Sequence, residues 1–299
     1  MSKKILVIYY TQSGQLGNII ENFTSPLVKE GNTVEKVLVQ PLKPYPFPWS
    51  GKSFFEQMPD SVLQVPTELL PFSLTETRYD LVIIGYQAWF LSPSIPVNSI
   101  LHYPAIKEIL KNTPVVTITG ARNMWISAME NIKQILKKTG ANLVGNIVLV
   151  DKHHNFISFV TILYWMFTAK KDRYLGIFPT PGVSGEDIAN ADKYGFIVEK
   201  YLQTGNWEGM QQELVQEKAL EVKYNLMFIE SKAKRIFGIW ANFIVKRKKR
   251  TAWLVAFKYY LLIALFIAAP ILLTVDAIFF KPFLSGRIKK QKQYYSDVK

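Results

Sequence analysis

Short, continuously apolar runs alternate with helical patterns through the first two thirds of the sequence, and this rhythm constrains the fold more than any other feature. Residues 4–10 (KILVIYY) are aliphatic and aromatic without a polar alternation, so they read as a strand buried on both faces. A helical pattern runs from Leu16 to about Lys29, with Pro26 late in it and Gly31-Asn32 ending it. Thr33–Val39, Tyr79–Tyr86 (YDLVIIGY), Pro114–Thr119 and Asn142–Asp151 read as four further strands. Helices are expected over Val97–Leu110 and over Trp125–Lys138, the second stopped by Gly140. Another is expected from Ser184-Gly185-Glu186-Asp187, which has the form of a capping box, to about Gln203. Strands alternating with helices predict an α/β protein, with a parallel sheet covered on both faces.

Residues 40–78 break the rhythm. They carry seven prolines and several aromatics, and are expected to be an irregular excursion rather than a helix or central strand. At 299 residues the chain fits one large domain or two smaller ones. It has no cysteine, which excludes a disulfide scaffold, a thiolate metal site and a cysteine nucleophile. The formal net charge of +13 is unevenly placed. Residues 1–229 hold 21 basic and 20 acidic side chains, whereas residues 230–299 hold 15 and 3. The basic part is also the most apolar, which points away from nucleic acid and toward a membrane surface. The apolar run after Met1-Ser2-Lys3-Lys4 is too short for a signal peptide, so the N-terminal body is expected on the cytoplasmic side.

In a doubly wound parallel sheet, ligands bind beyond the carboxyl ends of the strands. Three loops occupy such positions. Thr11-Gln12-Ser13-Gly14-Gln15 combines hydroxyls, a permissive glycine and a helix N-terminus, a cradle suited to a monophosphate. It has neither the spacing of a dinucleotide-binding glycine loop nor the lysine of a P-loop, and it contains no local cation. An ordinary helix cap explains the same residues. In Gln87-Ala88-Trp89-Phe90, Trp89 and Phe90 are placed to flank a planar ring or, alternatively, to cap the core. In Gly120-Ala121-Arg122-Asn123, the small pair lets backbone approach a ligand. Arg122 can face electron-rich carbonyls, and Asn123 either joins it or caps the next helix.

The three loops in this order resemble the flavodoxin-like fold over about residues 4–203. That resemblance implies a five-stranded sheet of order 2-1-3-4-5 and an FMN cofactor, with the first loop on its phosphate and the other two on its isoalloxazine ring. Thr11, Ser13 and Gly14 match the usual first motif, while Gln15 and Leu16 depart from it. The combination of YYTQSGQ, GYQAWFLSPSIP, TGARNMW and a hydrophobic C-terminal extension is similar to the dialkylresorcinol-condensing enzymes. It implies a ketosynthase partner and a flavin-dependent aromatase that converts a dialkyl cyclohexane-1,3-dione to a dialkylresorcinol, including the lipid part of flexirubin-type pigments. A membrane-bound NAD(P)H:quinone-type reductase, a one-electron carrier and a non-catalytic ketosynthase partner are the competing readings.

Residues 1–205 are thus expected to form the FMN-binding domain, with an apolar insertion at about 152–180. Within it, Phe156–Thr168 has no charge and suits a buried helix, an interfacial segment or the wall of an alkyl-chain tunnel. His153 and His154 precede it. As neighbours they point to opposite sides, so a shared metal is not expected; one of them suits a general base, and a surface polar pair is the plainer reading. Residues 206–299 are expected to be the membrane-anchoring region. One or two amphipathic helices lead to Lys246-Arg247-Lys248-Lys249-Arg250, then Trp253–Phe280 is strongly apolar, and Arg287, Lys289, Lys290 and Lys292 follow. Positive charge on both sides favours a hairpin bent at Pro270, with both clusters at an anionic cytoplasmic leaflet, over a single span. A soluble helix pair mediating homo-oligomerisation is the alternative.

Overall fold

The computed structural model of the chain describes residues 2–298. Five parallel strands form the central sheet: β1 (Lys4–Tyr9), β2 (Thr33–Leu38), β3 (Leu81–Tyr86), β6 (Pro114–Ala121) and β7 (Asn142–Val150), in the order β2-β1-β3-β6-β7. A two-stranded hairpin, β4 (Ala88–Trp89) and β5 (Ser92–Pro93), projects beyond β3. This is the doubly wound arrangement expected from the sequence, with its switch point between β1 and β3.

The strand sequences explain the layering. Side chains alternate across a strand, so Leu6 and Ile8 join one core with Val82, Ile84 and Tyr86, while Ile5 and Val7 join the opposite core with Leu81 and Ile83. Both faces are covered, which is why these strands are apolar throughout. The second core is closed by α1 (Gln15–Lys29), α9 (Asp192–Thr204) and α10 (Met210–Gln216). The first is closed by α4 (Ile95–Leu101), α5 (Pro104–Leu110), α6 (Ile126–Thr139) and the start of α11 (Tyr224–Val245). Gly85 lets α1 sit close: a Cβ there would lie 2.5 Å from Ile20 Cδ1 and 2.7 Å from Tyr9 Cβ.

Several segments depart from the sequence reading for identifiable reasons. The helix expected over Val97–Leu110 is two helices, because Pro104 opens α5 and cannot continue α4. The proline-rich excursion contains two short helices, α2 (Gly51–Glu56) and α3 (Met58–Val62), the first started by a reciprocal Ser50–Ser53 capping box. Ser184 caps α8 (Gly185–Ala189), which ends before α9 begins. The insertion carries α7 (Asn155–Thr168).

The apolar tail forms one helix, α12 (Arg250–Ser296), long and apolar enough to cross or associate with a membrane by length and composition. The hairpin expected at Pro270 is absent. Residues 268 and 269 keep helical dihedrals, and a π-turn over Ala264–Ala268 immediately precedes the proline. Wider i→i+5 turns move the carbonyls that the proline ring would strike and lose one hydrogen bond without reversing the chain. α12 touches the rest of the protein along its length: Phe257 with Phe55 and Phe237, Phe266 with Phe156, Asp276 with Tyr224, and Tyr294 with Glu130.

Candidate functional site

The three loops leave the carboxyl ends of β1, β3 and β6, the three central strands, and therefore meet at one end of the sheet. In the first, Gly14 has φ 84° and opens α1 without any side-chain cap, so the first-turn N–H groups of this 15-residue helix have no side-chain acceptor there. Gln12 faces away from that turn. Its amide donates to the carbonyls of Tyr45 and Pro46 at 3.1 and 2.9 Å and accepts from the Tyr10 hydroxyl, pinning the proline-rich excursion to the loop. Gln15 faces the insertion instead: its Oε1 accepts from Val183 N–H and Lys171 Nζ, each at 3.0 Å. Ser13 is turned toward the cavity onto which these loops open, whereas the Thr11 hydroxyl is buried beneath it.

The second loop is a strained hairpin. Phe90 (φ 47°) and Leu91 (φ 64°) both adopt left-handed conformations at its tip, a cost borne by two non-glycine residues. Trp89 is boxed edge-on by Tyr10, Tyr45 and Trp49, with ring centroids 5.8, 5.1 and 5.5 Å away. Phe90 packs on Phe54 at 4.7 Å. The proline-rich excursion therefore serves as the support of this loop, a role its composition did not reveal.

The third loop presents Arg122. Its guanidinium donates to the backbone and side-chain oxygens of Asn155 at 3.1 and 2.9 Å and lies over Phe159. Burial pushes its pKa down to about 10, with the Asp151 carboxylate opposing, so it remains a cation at neutral pH. Asn123 donates to the same Asn155 oxygen at 2.6 Å. Gly120 is close-packed, since a Cβ there would meet Ile19 Cδ1 at 3.2 Å. Asp151 is buried and accepts from Ser158 Oγ, His153 N–H and Gly182 N–H, tying the start of α7 to the end of the insertion.

The loops open into a cavity of about 460 Å³. Its walls are Phe47, Trp49, Phe54 and Phe55 of the excursion, Phe159, Ile162, Leu163, Trp165 and Met166 of α7, Ile229, Ala233 and Phe237 of α11, and Tyr260, Leu261, Leu265 and Ala269 of α12. Arg122, Lys258 and Tyr260 are the ionisable groups among its described lining residues. His153 and His154 are not: both side chains are exposed, and His154 is the N-cap of α7, turned outward against Phe156. The structure thus brings together Gln12, Ser13, Gln15, Gln87, Ala88, Trp89, Phe90, Gly120, Ala121, Arg122 and Asn123 around one cavity, and leaves the histidine pair outside it. Trp165 lines the cavity, in line with the tunnel-wall reading of Phe156–Thr168, and Lys171, just past α7, reaches the first loop through Gln15, a contact that nothing in its sequence position signals.

Three buried polar atoms at these loops have no partner in the protein: Thr11 Oγ1, Gln87 Oε1 and Asn123 Oδ1. Leaving such a group unpaired costs about 1–3 kcal/mol. FMN has the complementary chemistry. Its phosphate could accept from the Thr11 hydroxyl and from the uncapped N–H groups opening α1, and its imide and ribityl hydroxyls would be donors for the two amide oxygens.

No sequence-family profile and no curated protein sequence matches the chain. Solved structures are similar in fold. A flavoprotein from Lactobacillus acidophilus in complex with FMN is 19% identical, covers 49% of this chain and 93% of its own, and has a TM-score of 0.41. The two-electron reduced flavodoxin of Megasphaera elsdenii is 16% identical over 51% of this chain and 89% of its own, with a TM-score of 0.31. A flavone reductase is 12% identical over 67% of this chain and 63% of its own, with a TM-score of 0.37.

Proposed function

We propose that the chain is an FMN-dependent oxidoreductase acting on a lipophilic, carbonyl-bearing ring, and that its reaction is the aromatisation of a dialkyl cyclohexane-1,3-dione to a dialkylresorcinol at a membrane surface. One observation carries the reading: phosphate-type and ring-type loops open directly into an apolar cavity walled by α7, α11 and α12. A one-electron carrier has no use for such a cavity, whereas a substrate with alkyl chains does.

Aromatisation removes two electrons and two protons from the ring, and FMN, when bound, supplies the two-electron acceptor. The protein has to hold the rest. Thr11, Ser13 and the start of α1 would hold the phosphate, and Gln87, Asn123 and the backbone at Gly120-Ala121 would hold the ring. A cyclic 1,3-dione is a vinylogous acid, so its enolate is readily formed and is favoured beside a cation in a dry site. Arg122 provides that cation, fixed by Asn155. Lys258 and Tyr260 are the other ionisable groups on the wall, placed to donate hydrogen bonds to the ring carbonyls, whereas the histidines lie outside the cavity.

The same reading gives α12 two faces. Toward the body it closes the cavity; away from it, Tyr259, Ile263, Ile267, Ile271, Val275, Ile278 and Phe279 form an exposed apolar stripe. Lys246–Arg250 and Arg287–Lys292 flank that stripe. Because both ends of α12 touch the same α/β body, a helix lying in the interface of an anionic cytoplasmic leaflet fits better than one crossing it. A ketosynthase that makes the dione is the partner this reaction requires.

The test is anaerobic mixing of detergent-extracted, FMN-loaded protein with a dialkyl cyclohexane-1,3-dione. Loss of oxidised-flavin absorbance with one resorcinol formed per FMN is expected. A flavin that ignores the dione but is reduced by NAD(P)H and reoxidised by a quinone would replace this reading with the quinone reductase.

A further inference from the structure

The phosphate dianion of a bound FMN would meet no charge in the loop that cradles it, since residues 9–20 contain neither Lys nor Arg. The start of α1 offers only about half a positive charge against the phosphate's roughly −1.5 to −2. A cation does reach this place, from 156 residues away. Lys171 lies on the insertion just past α7, and its Nζ is 3.0 Å from the Oε1 of Gln15, the residue that opens α1. The stem runs over Trp165, with the ammonium 5.1 Å from the ring centroid. Its neighbours there are an amide oxygen and an aromatic face, not a carboxylate, so the charge is placed without being neutralised. Desolvation also holds its pKa below the ordinary lysine value.

The placement is built rather than incidental. Val183 N–H binds the same Gln15 oxygen, also at 3.0 Å. Gly182 beside it has φ 81°, and a Cβ there would come within 2.6 Å of Gln15 Oε1 and 2.8 Å of Trp165. Both ends of the insertion's second half therefore converge on the first turn of α1. We propose that Lys171 is the charge partner of the FMN phosphate, delivered by the insertion, from far along the same chain, to a loop that has no cation of its own. The assignment rests on the FMN reading of the three loops. Its consequence is selectivity: the site distinguishes FMN from riboflavin through Lys171.

Apoprotein of the full chain, titrated with FMN and separately with riboflavin by flavin fluorescence quenching, tests this. Wild type should bind FMN more tightly. In Lys171→Met, FMN affinity should fall about tenfold while riboflavin affinity stays unchanged, and Lys171→Arg should restore FMN binding, as expected for a charge-assisted contact to phosphate. Equal losses for both flavins would make Lys171 a support for Gln15 only, and no loss for either would remove it from the site; each overturns the proposal. Wild type that binds neither flavin would instead overturn the cofactor reading beneath it.

Discussion

Replacing Phe257 with alanine should release α12 from the cavity without unfolding the sheet. Phe257 is fully buried, and its ring centroid lies 5.2, 5.8 and 6.2 Å from those of Phe237, Trp240 and Phe55. These residues belong to a small cluster with Leu254, Ala241, Ile244 and Met58, separate from the two cores that flank the sheet. Phe→Ala in a packed site costs about 3–5 kcal/mol. Here the cost falls on the docking of α12 against α11 and α2, because Phe257 belongs to this cluster and to neither sheet core. If that unit opens as one, 3 kcal/mol corresponds to faster exchange by roughly a hundredfold, at about 1.4 kcal/mol per tenfold. Hydrogen-exchange mass spectrometry of the full chain in nanodiscs measures it directly. Peptides covering 235–262 should lose about two decades of protection, and those from β3 and β6 should keep theirs. Uniform loss across the sheet, or unchanged protection in 235–262, would refute a separately docked helix that closes the cavity.

Other perturbations probe the remaining parts. Gly182→Ala, with no room for its Cβ against Gln15 and Trp165, should weaken FMN and riboflavin alike by about tenfold, on the scale of about 1–3 kcal/mol for overpacking, read by fluorescence titration. Glu230 is buried, accepts from Ser127 N–H at 2.6 Å, and has its pKa raised by desolvation. Its folded form therefore holds a proton more tightly than the unfolded chain does, and that contribution is present at low pH and lost as pH rises through the folded value. Glu230→Gln should melt above wild type at pH 8, with the gap closing as pH falls toward the ordinary glutamate value of about 4.3; a gap independent of pH would contradict the sign. Ile267→Asp with Ile271→Asp lies on the exposed stripe, so the fold should persist while sedimentation with anionic vesicles falls by more than tenfold, given about 1.5–3 kcal/mol lost per apolar side chain. Unchanged vesicle binding would remove α12 from the membrane surface.

The sheet is legible because β1 and β3 are buried on both faces and so carry unbroken apolar runs that no surface strand would show. The site loops were legible for the same topological reason, since each follows a strand whose carboxyl end was recognisable. What the sequence concealed came from distance. Trp89 owes its box to Tyr45 and Trp49, some forty residues earlier, in a stretch whose prolines suggested only irregularity. Lys171 reaches Gln15 across most of the chain. Proximity to a strand end suggests a site role for the histidines, yet both are exposed, with His154 as the N-cap of α7, while Asp151 gathers Ser158 and Gly182 inward. Pro270 would break an ideal helix, whereas the neighbouring π-turn absorbs it.

The central claim is a flavin bound where the three loops meet a lipid-sized cavity, and the cofactor content of purified full-length protein tests it most directly. Detergent-extracted protein, reconstituted with FMN and freed of excess, should be yellow, show the visible spectrum of an oxidised flavin, and release close to one FMN per chain on denaturation. A folded protein that stays colourless after reconstitution would contradict the account.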